Sequence, residues 1–242
     1  MLHWIYPTIC ELCHESAEQS LCPDCLAGLE RVPRPICLYC GAILSGTPAG
    51  TESCPACARL PRPFELARSA LRGDERNMQL IYKLKYHRAN YLAAALAPAL
   101  AELWHHTPEL NSDFAAAALV PVPTTFAHEQ QRGYNQAAVL AQALGKLLKR
   151  PVIHALQRRD TDYGSQTRLS ATQRRQNAYH AFHPLPAYVK GHRTLPERLV
   201  LVDDVYTTGS TARACSHALL QLPGVKQVAV ITLVRAEMRS SK

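Results

Sequence analysis

The stretch LVLVDDVYTTGST, residues 199–211, carries the most concentrated chemistry in the chain. An apolar run ends in two adjacent carboxylates, Asp203 and Asp204. A hydroxyl-rich turn follows: Thr207, Thr208, Gly209, Ser210 and Thr211. A buried strand that hands such a turn to a helix brings backbone N–H groups, hydroxyls and a positive helix end to one place. That combination is a phosphate cradle. Gly209 lets the backbone approach a ligand closely. Neighbouring ionised carboxylates accept hydrogen bonds from vicinal hydroxyls, such as a ribose 2′,3′-diol. The plainer use of the pair is to cap the next helix. Burying two uncompensated charges is costly, so ligand binding is the better account.

A second constellation lies at the other end. Eight of the nine cysteines fall in the first 57 residues as four C-x-x-C pairs: Cys10 with Cys13, Cys22 with Cys25, Cys37 with Cys40, and Cys54 with Cys57. Two thiolates two residues apart face one metal from a tight turn, and two such turns complete a tetrahedral shell of four thiolates. Sequential pairing yields two sites, one from the first four cysteines and one from the last four; interleaved pairing also satisfies the spacing. Structural Zn2+ is the expected metal, with an iron–sulfur cluster as the competing reading. A closed thiolate shell has no open position for catalysis, and so short a module needs its metal to fold. Cys215, alone in an apolar helix, reads as a small buried hydrophobe.

Between these ends lie further polar groups. RGYNQ places Arg132, Asn135 and Gln136 at a helix start. Arginine suits bidentate phosphate contact, whereas Asn135 and Gln136 could read a base or ribose edge, or Asn135 could cap the helix. In VPVPTT, Pro121 and Pro123 stiffen a loop that carries Thr124 and Thr125. Residues 157–182 hold Arg158, Arg159, Arg168, Arg174 and Arg175 without apolar rhythm, which suits a flap over a ligand, a solvated basic loop or a DNA contact. Lys83, Lys85, Tyr86, His87 and Arg88 lie close together on a helix; they could stack on nucleic acid or form a solvent face.

The elements that must position these groups follow from periodicity. Residues 76–88 place Met78, Ile81 and Leu84 on one helix face, and 90–106 are Ala- and Leu-rich, with Asn90 as a candidate cap. Beyond them come a strand at 116–122, a helix at 134–150 with Leu140, Leu144, Leu147 and Leu148 on one face, and a short strand at 151–156. A strand at 198–204, a helix at 210–222 and a strand at 225–234 complete the chain. Continuous apolar strands alternating with helices imply an α/β fold with a parallel sheet covered by helices. Pro61 and Pro63 mark the connector between a cysteine module at 1–60 and this larger unit at 64–242.

Composition narrows the classes. Of 242 residues 47% are hydrophobic and 19% charged, which excludes wholesale disorder. The longest apolar stretch, Tyr91 to Trp104, is interrupted by Pro98 and Glu102, so a membrane span is not expected. The N-terminus has neither a basic n-region nor an apolar h-region, and the expected compartment is the cytoplasm. The net charge of +8 resides in residues 116–199, which hold 12 Lys and Arg against 4 Asp and Glu. Such a local excess points to an anionic partner: phosphate, pyrophosphate or nucleic acid.

The segment 199–211 resembles the phosphoribosyl pyrophosphate (PRPP) motif of type I phosphoribosyltransferases. The chain is further identified as similar to the ComF family. The likeness is carried by the cysteine pairs, YKLKYHRANYLAAALA at 82–97, LVPVPTT at 119–125, QRGYNQAAVLAQAL at 131–144 and LQRRDTDYGSQTRLSATQRRQNAYHAF at 156–182. The resemblance implies a double zinc ribbon followed by a type I phosphoribosyltransferase-like domain. It implies that Asp203 and Asp204 hold the ribose hydroxyls, that Thr207 to Thr211 hold the 5′-phosphate, and that 123–126 touch pyrophosphate. Mg2+ bridging the substrate, and closure of the arginine-rich segment over PRPP, follow from the same likeness. At the position of Thr207 the 6-oxopurine enzymes of the superfamily carry aspartate, which argues against such an acceptor. The activity implied is displacement of pyrophosphate from PRPP by a nitrogen nucleophile, aided by Arg132. The family's link to incoming single-stranded DNA and to nucleotide salvage supplies the alternative, a single-stranded DNA-binding protein whose PRPP pocket is a sensor or a relic. A PRPP-sensing regulator of transcription ranks last, since no helix-turn-helix pattern is evident.

Overall fold

A computed structural model describes residues 8–44, 46, 52–60, 62–159 and 181–236. Four strands form a parallel sheet in the order β1 (Ala67–Arg72), β6 (Gln227–Arg235), β5 (Arg198–Tyr206) and β2 (Ala118–Pro121). The two central strands are continuously buried over Leu199–Val202 and Val228–Val234, as a sheet covered on both faces requires. The expected α/β class with a parallel sheet is what the chain adopts.

The period of two along β5 divides the core. Val200 and Val202 face α3 (Glu75–Tyr86), α4 (Leu92–His105) and α7 (Gln136–Leu148). Leu199 and Leu201 face α9 (Ser210–Leu220), the small antiparallel pair β3 (Leu156–Arg158) and β4 (Phe182–Pro184), and the short helix α8 (Pro186–Val189). Short helices α1 (Pro23–Ala27) and α2 (Pro55–Arg59) each begin with a proline just after a cysteine, and α5 (Pro108–Ser112) and α6 (Phe126–Arg132) fill connections.

Several elements differ from the sequence reading. Helix α3 starts at Glu75 under an Asp74 cap that accepts from Asn77 N–H at 2.7 Å, and it buries Leu80, Ile81 and Leu84 but leaves Met78 at the rim. Steps of three residues drift by about 60° each, so Met78, Ile81 and Leu84 spread over too wide an arc to share one face. Asn90 does not cap α4: a backbone turn leads in, with Leu92 N–H on the Ala89 carbonyl and Ala93 N–H on the Asn90 carbonyl. Leu140 and Leu144 are fully buried, whereas Leu147 lies exposed in the last turn, where the chain turns away at Lys149 with φ 54°. The strand expected at 151–156 is a single bridge between Val152 and Leu119, and pairing resumes only at Leu156. Strands β1 and β4 and helix α6 have no counterpart in the sequence reading.

The cysteine-rich segment is bonded into the sheet. Arg31 bridges antiparallel to Leu71, and Arg72 N–H donates to the Glu30 carbonyl at 2.8 Å, so residues 30–32 cover the free edge of β1.

Candidate functional site: a phosphate cradle at the sheet edge and two cysteine clusters

Strand β5 ends at Tyr206, the chain turns through Thr207, Thr208 and Gly209, and α9 starts at Ser210. This is the carboxyl edge of a parallel sheet, where open α/β folds bind ligands. Gly209 occupies the left-handed region at φ 75°. A Cβ there would lie 2.5 Å from Tyr206 Cζ, so the loop folds down on the tyrosine ring. The Tyr206 ring is 3% exposed and its hydroxyl has no partner among the described residues; the Arg235 guanidinium covers it, 4.3 Å from the centroid. Arg213, from the first turn of α9, donates to the Thr208 carbonyl at 2.6 Å and closes the loop from behind. Thr207 and Thr208 remain exposed, and the Thr208 and Ser210 hydroxyls are 3.1 Å apart.

The two aspartates point to opposite faces, as successive strand residues must. Asp203 is half-buried beside Gly209, Thr211 and Thr232, and Thr232 shares a buried hydroxyl bond of 2.7 Å with Ser69. Burial and the adjacent Asp204 carboxylate push the Asp203 carboxyl well above the ordinary range. Asp204 is 4% exposed on the other face, where Lys85 of α3 reaches it with Nζ 2.6 Å from Oδ2. By sequence Lys85 is one of a run of cations on a helix; nothing in linear spacing joins it to Asp204.

The remaining candidates fall into two groups. Arg132 ends α6 and does not begin a helix; it is 8% exposed and donates to Gln136 Oε1 at 2.9 Å. Asn135 caps α7, accepting from Ala137 and Ala138 N–H, and donates through Nδ2 to the Val122 carbonyl at 2.9 Å. Thr125 likewise caps α6, accepting from His128 N–H at 3.2 Å. The side chains of Asn135 and Thr125 therefore hold the backbone in place. Pro123, Thr124, Asn135 and Arg158 line an open groove of about 540 Å³ between α6, α7 and β3. Arg174 and Arg175 lie outside the described residues.

The cysteines assemble sequentially: Cys10, Cys13, Cys22 and Cys25 form one cluster, and Cys37, Cys40, Cys54 and Cys57 the other, each with all sulfurs within 4.8 Å of one another. The spacing suits zinc. A tetrahedron with Zn–S near 2.3 Å has edges of about 3.8 Å. The Cys13–Cys22 and Cys40–Cys54 sulfurs are 3.8 and 3.6 Å apart. Backbone N–H groups of Cys22 and Cys54 reach Cys10 and Cys37 sulfur at 3.4 Å. Against burial, which raises them, such N–H donors lower the Cys10 thiol to about 6 and the Cys37 thiol to about 7. Each cluster also meets an arginine of the larger unit. Arg76 donates to Cys25 sulfur at 3.1 Å, and Arg235 donates to the Cys40 carbonyl at 2.6 Å. These are ligand sets of structural zinc, with no open position.

The class defined is thus an α/β protein with a parallel sheet, a glycine- and hydroxyl-rich turn at its carboxyl edge and a double zinc ribbon bonded to it. Residues 1–58 match the double zinc ribbon domain family. Competence protein F of Haemophilus influenzae is 30% identical over 220 residues, 91% of this chain and 92% of that protein. The DNA utilization protein YhgH of Escherichia coli K12 is 29% identical over 224 residues, covering 90% of this chain and 86% of that protein. Competence protein ComFC of Bacillus subtilis is 30% identical over 118 residues, 49% of this chain and 44% of that protein. The chain belongs to the ComF family of competence proteins, and those relatives tie the family to competence and DNA utilization. No helix among the described residues is long and apolar enough to cross a membrane.

Proposed function

We propose that the protein binds PRPP at the carboxyl edge of the sheet and acts as a phosphoribosyltransferase. In this reading residues 1–60 are the zinc ribbon and residues 64–242 the phosphoribosyltransferase-like domain. The observation that carries the reading is the Gly209 turn: a left-handed glycine folded over a buried tyrosine leaves backbone N–H groups and the Thr207, Thr208, Ser210 and Thr211 hydroxyls to meet a 5′-phosphate at the start of α9. Asp203 stands beside that turn to accept from a ribose hydroxyl. Asp204, paired with Lys85, completes the acidic strand end. Arg132 and the backbone of residues 123–126 take the pyrophosphate, since the side chains of Thr125 and Asn135 are engaged in capping. Gln136 orients the Arg132 guanidinium, and Arg158, held in β3 against β4, lines the groove beside Pro123 and Asn135, whereas Arg174 and Arg175 lie outside the described residues.

In the reaction a nitrogen lone pair forms a bond to the anomeric carbon. The bond from that carbon to the pyrophosphate oxygen breaks, and pyrophosphate departs with the electron pair. The proton of the nucleophile passes to solvent. Arg132 stabilises the charge that gathers on the leaving group. Asp203 and the substrate's own oxygens fit Mg2+, which prefers phosphate oxygens and retained water; bound there it would neutralise part of the pyrophosphate charge.

A second reading is that single-stranded DNA is a partner. It is favoured by relatives named for competence and DNA utilization and by the +8 charge carried in residues 116–199. PRPP binding that requires Mg2+ and disappears in Asp203→Ala supports the first reading. Equal binding by wild type and Asp203→Ala would remove the ribose-clamp assignment.

A further inference from the structure

Tyr82 and Tyr86 stand one turn apart on the outer side of α3, 57% and 53% exposed. Their ring centroids are 4.9 Å apart with planes inclined at 44°, and the His87 ring lies 5.3 Å from Tyr82, inclined at 57°. The Arg132 guanidinium sits 5.2 Å from the Tyr86 centroid. Contacts link the four groups in the order His87, Tyr82, Tyr86, Arg132, a column of mutually inclined rings and one guanidinium. Arg132 is buried, yet its Nε has no partner among the described residues, a costly arrangement unless a ligand acceptor arrives. The column borders the sheet-edge site, since Lys85, next to Tyr86 in the chain, holds Asp204.

We propose that this column is the surface on which bases of single-stranded DNA stack. A free base needs an enclosing pocket, whereas these rings lie open; a strand adds phosphates, which the basic surroundings attract. Residues 82–88 contain Lys83, Lys85 and Arg88 and no acidic group. Lys83 is paired with Glu11 and Lys85 with Asp204, so Arg88 and Arg132 supply the charge complementarity. Aromatic rings flanked by cations are the usual platform for unpaired bases. The inference rests on the DNA reading above and places the contact on α3 together with Arg132 of the basic 116–199 stretch.

The test uses the full-length, zinc-loaded protein and a fluorescein-labelled oligothymidylate of about 20 nucleotides, long enough to span several stacking positions. Anisotropy should show binding that weakens as salt rises. Tyr82→Ala and Tyr86→Ala should each weaken it by at least about fivefold, and Tyr86→Phe should stay within about twofold, because stacking uses the ring face. Tyr82→Leu keeps apolar bulk without the ring and should lose as much as alanine, with unchanged zinc content and unchanged PRPP binding. Wild-type binding that survives the double alanine substitution would place the strand elsewhere and overturn the proposal alone. Absence of oligonucleotide binding by wild type would remove the DNA reading and this surface with it. Displacement of the strand by an equal nucleotide concentration of thymidine monophosphate would make the column a mononucleotide site and overturn the strand assignment.

Discussion

Replacing Gly209 with alanine tests whether the loop is folded down on Tyr206. Gly209 and Gly133 both have left-handed backbones, at φ 75° and φ 82°. Alanine in that region costs about 1 kcal/mol or somewhat more at either position. The surroundings differ. A Cβ at Gly133 meets nothing within 4 Å, whereas one at Gly209 lies 2.5 Å from Tyr206 Cζ. The tyrosine cannot swing aside readily, because it is 3% exposed and covered by Arg235, which is itself bonded to the Cys40 carbonyl. Overpacking of this kind adds about 2 kcal/mol. Gly133→Ala should therefore lower the thermal midpoint by about 2–4 °C, and Gly209→Ala by about 6–12 °C. Calorimetry on zinc-loaded protein reads both. The same Gly209→Ala protein, titrated with PRPP below its midpoint, should have lost affinity at least about tenfold, since the turn must lift to relieve the clash. Equal midpoints for the two variants, with unaltered PRPP affinity, would refute the packed loop.

Other outcomes follow from the same geometry. Lys85→Ala leaves Asp204, 4% exposed, without its cation, and should destabilise the fold by about 2 kcal/mol in urea titration, with Lys85→Arg closer to wild type. Asp203 is pushed up in the folded state, so the fold binds more protons than the unfolded chain above about pH 4. Stability should thus fall as pH rises from there toward the raised value, and Asp203→Asn should flatten that fall in urea midpoints while removing PRPP affinity. Removal of metal by a chelator, or Cys37→Ser, should lower the two zinc ions per chain measured by elemental analysis and should also lower the midpoint of the larger unit, because Arg235 and residues 30–32 join the ribbon to it.

The sheet is legible in the sequence because three of its strands contain continuous apolar runs, at 118–122, 199–202 and 228–231, that no helix period explains. The cysteine pairs are legible as clusters, but only distance settles their partition. Strand β1 escapes because ARSALR mixes arginine and serine into the run; Arg68 is nonetheless 6% exposed and Ser69 pairs with Thr232. Helix α6 escapes because HEQQR has no apolar stripe, and Arg132 consequently reads as the start of a helix when it ends one. At the site the acidic pair and the threonine turn stand out by type. The groups that hold them, Lys85, Tyr206, Arg213 and Arg235, carry no local signal of what they touch. Asn135 and Thr125 illustrate the reverse: ligand-like side chains that the chain uses as helix caps.

The central claim is tested most directly by titrating PRPP calorimetrically into the zinc-loaded protein, with and without Mg2+, alongside Asp203→Ala. Micromolar binding that needs Mg2+ and is lost in the variant is the predicted result. Absence of binding in both buffers would contradict the account and leave the sheet edge without its proposed ligand.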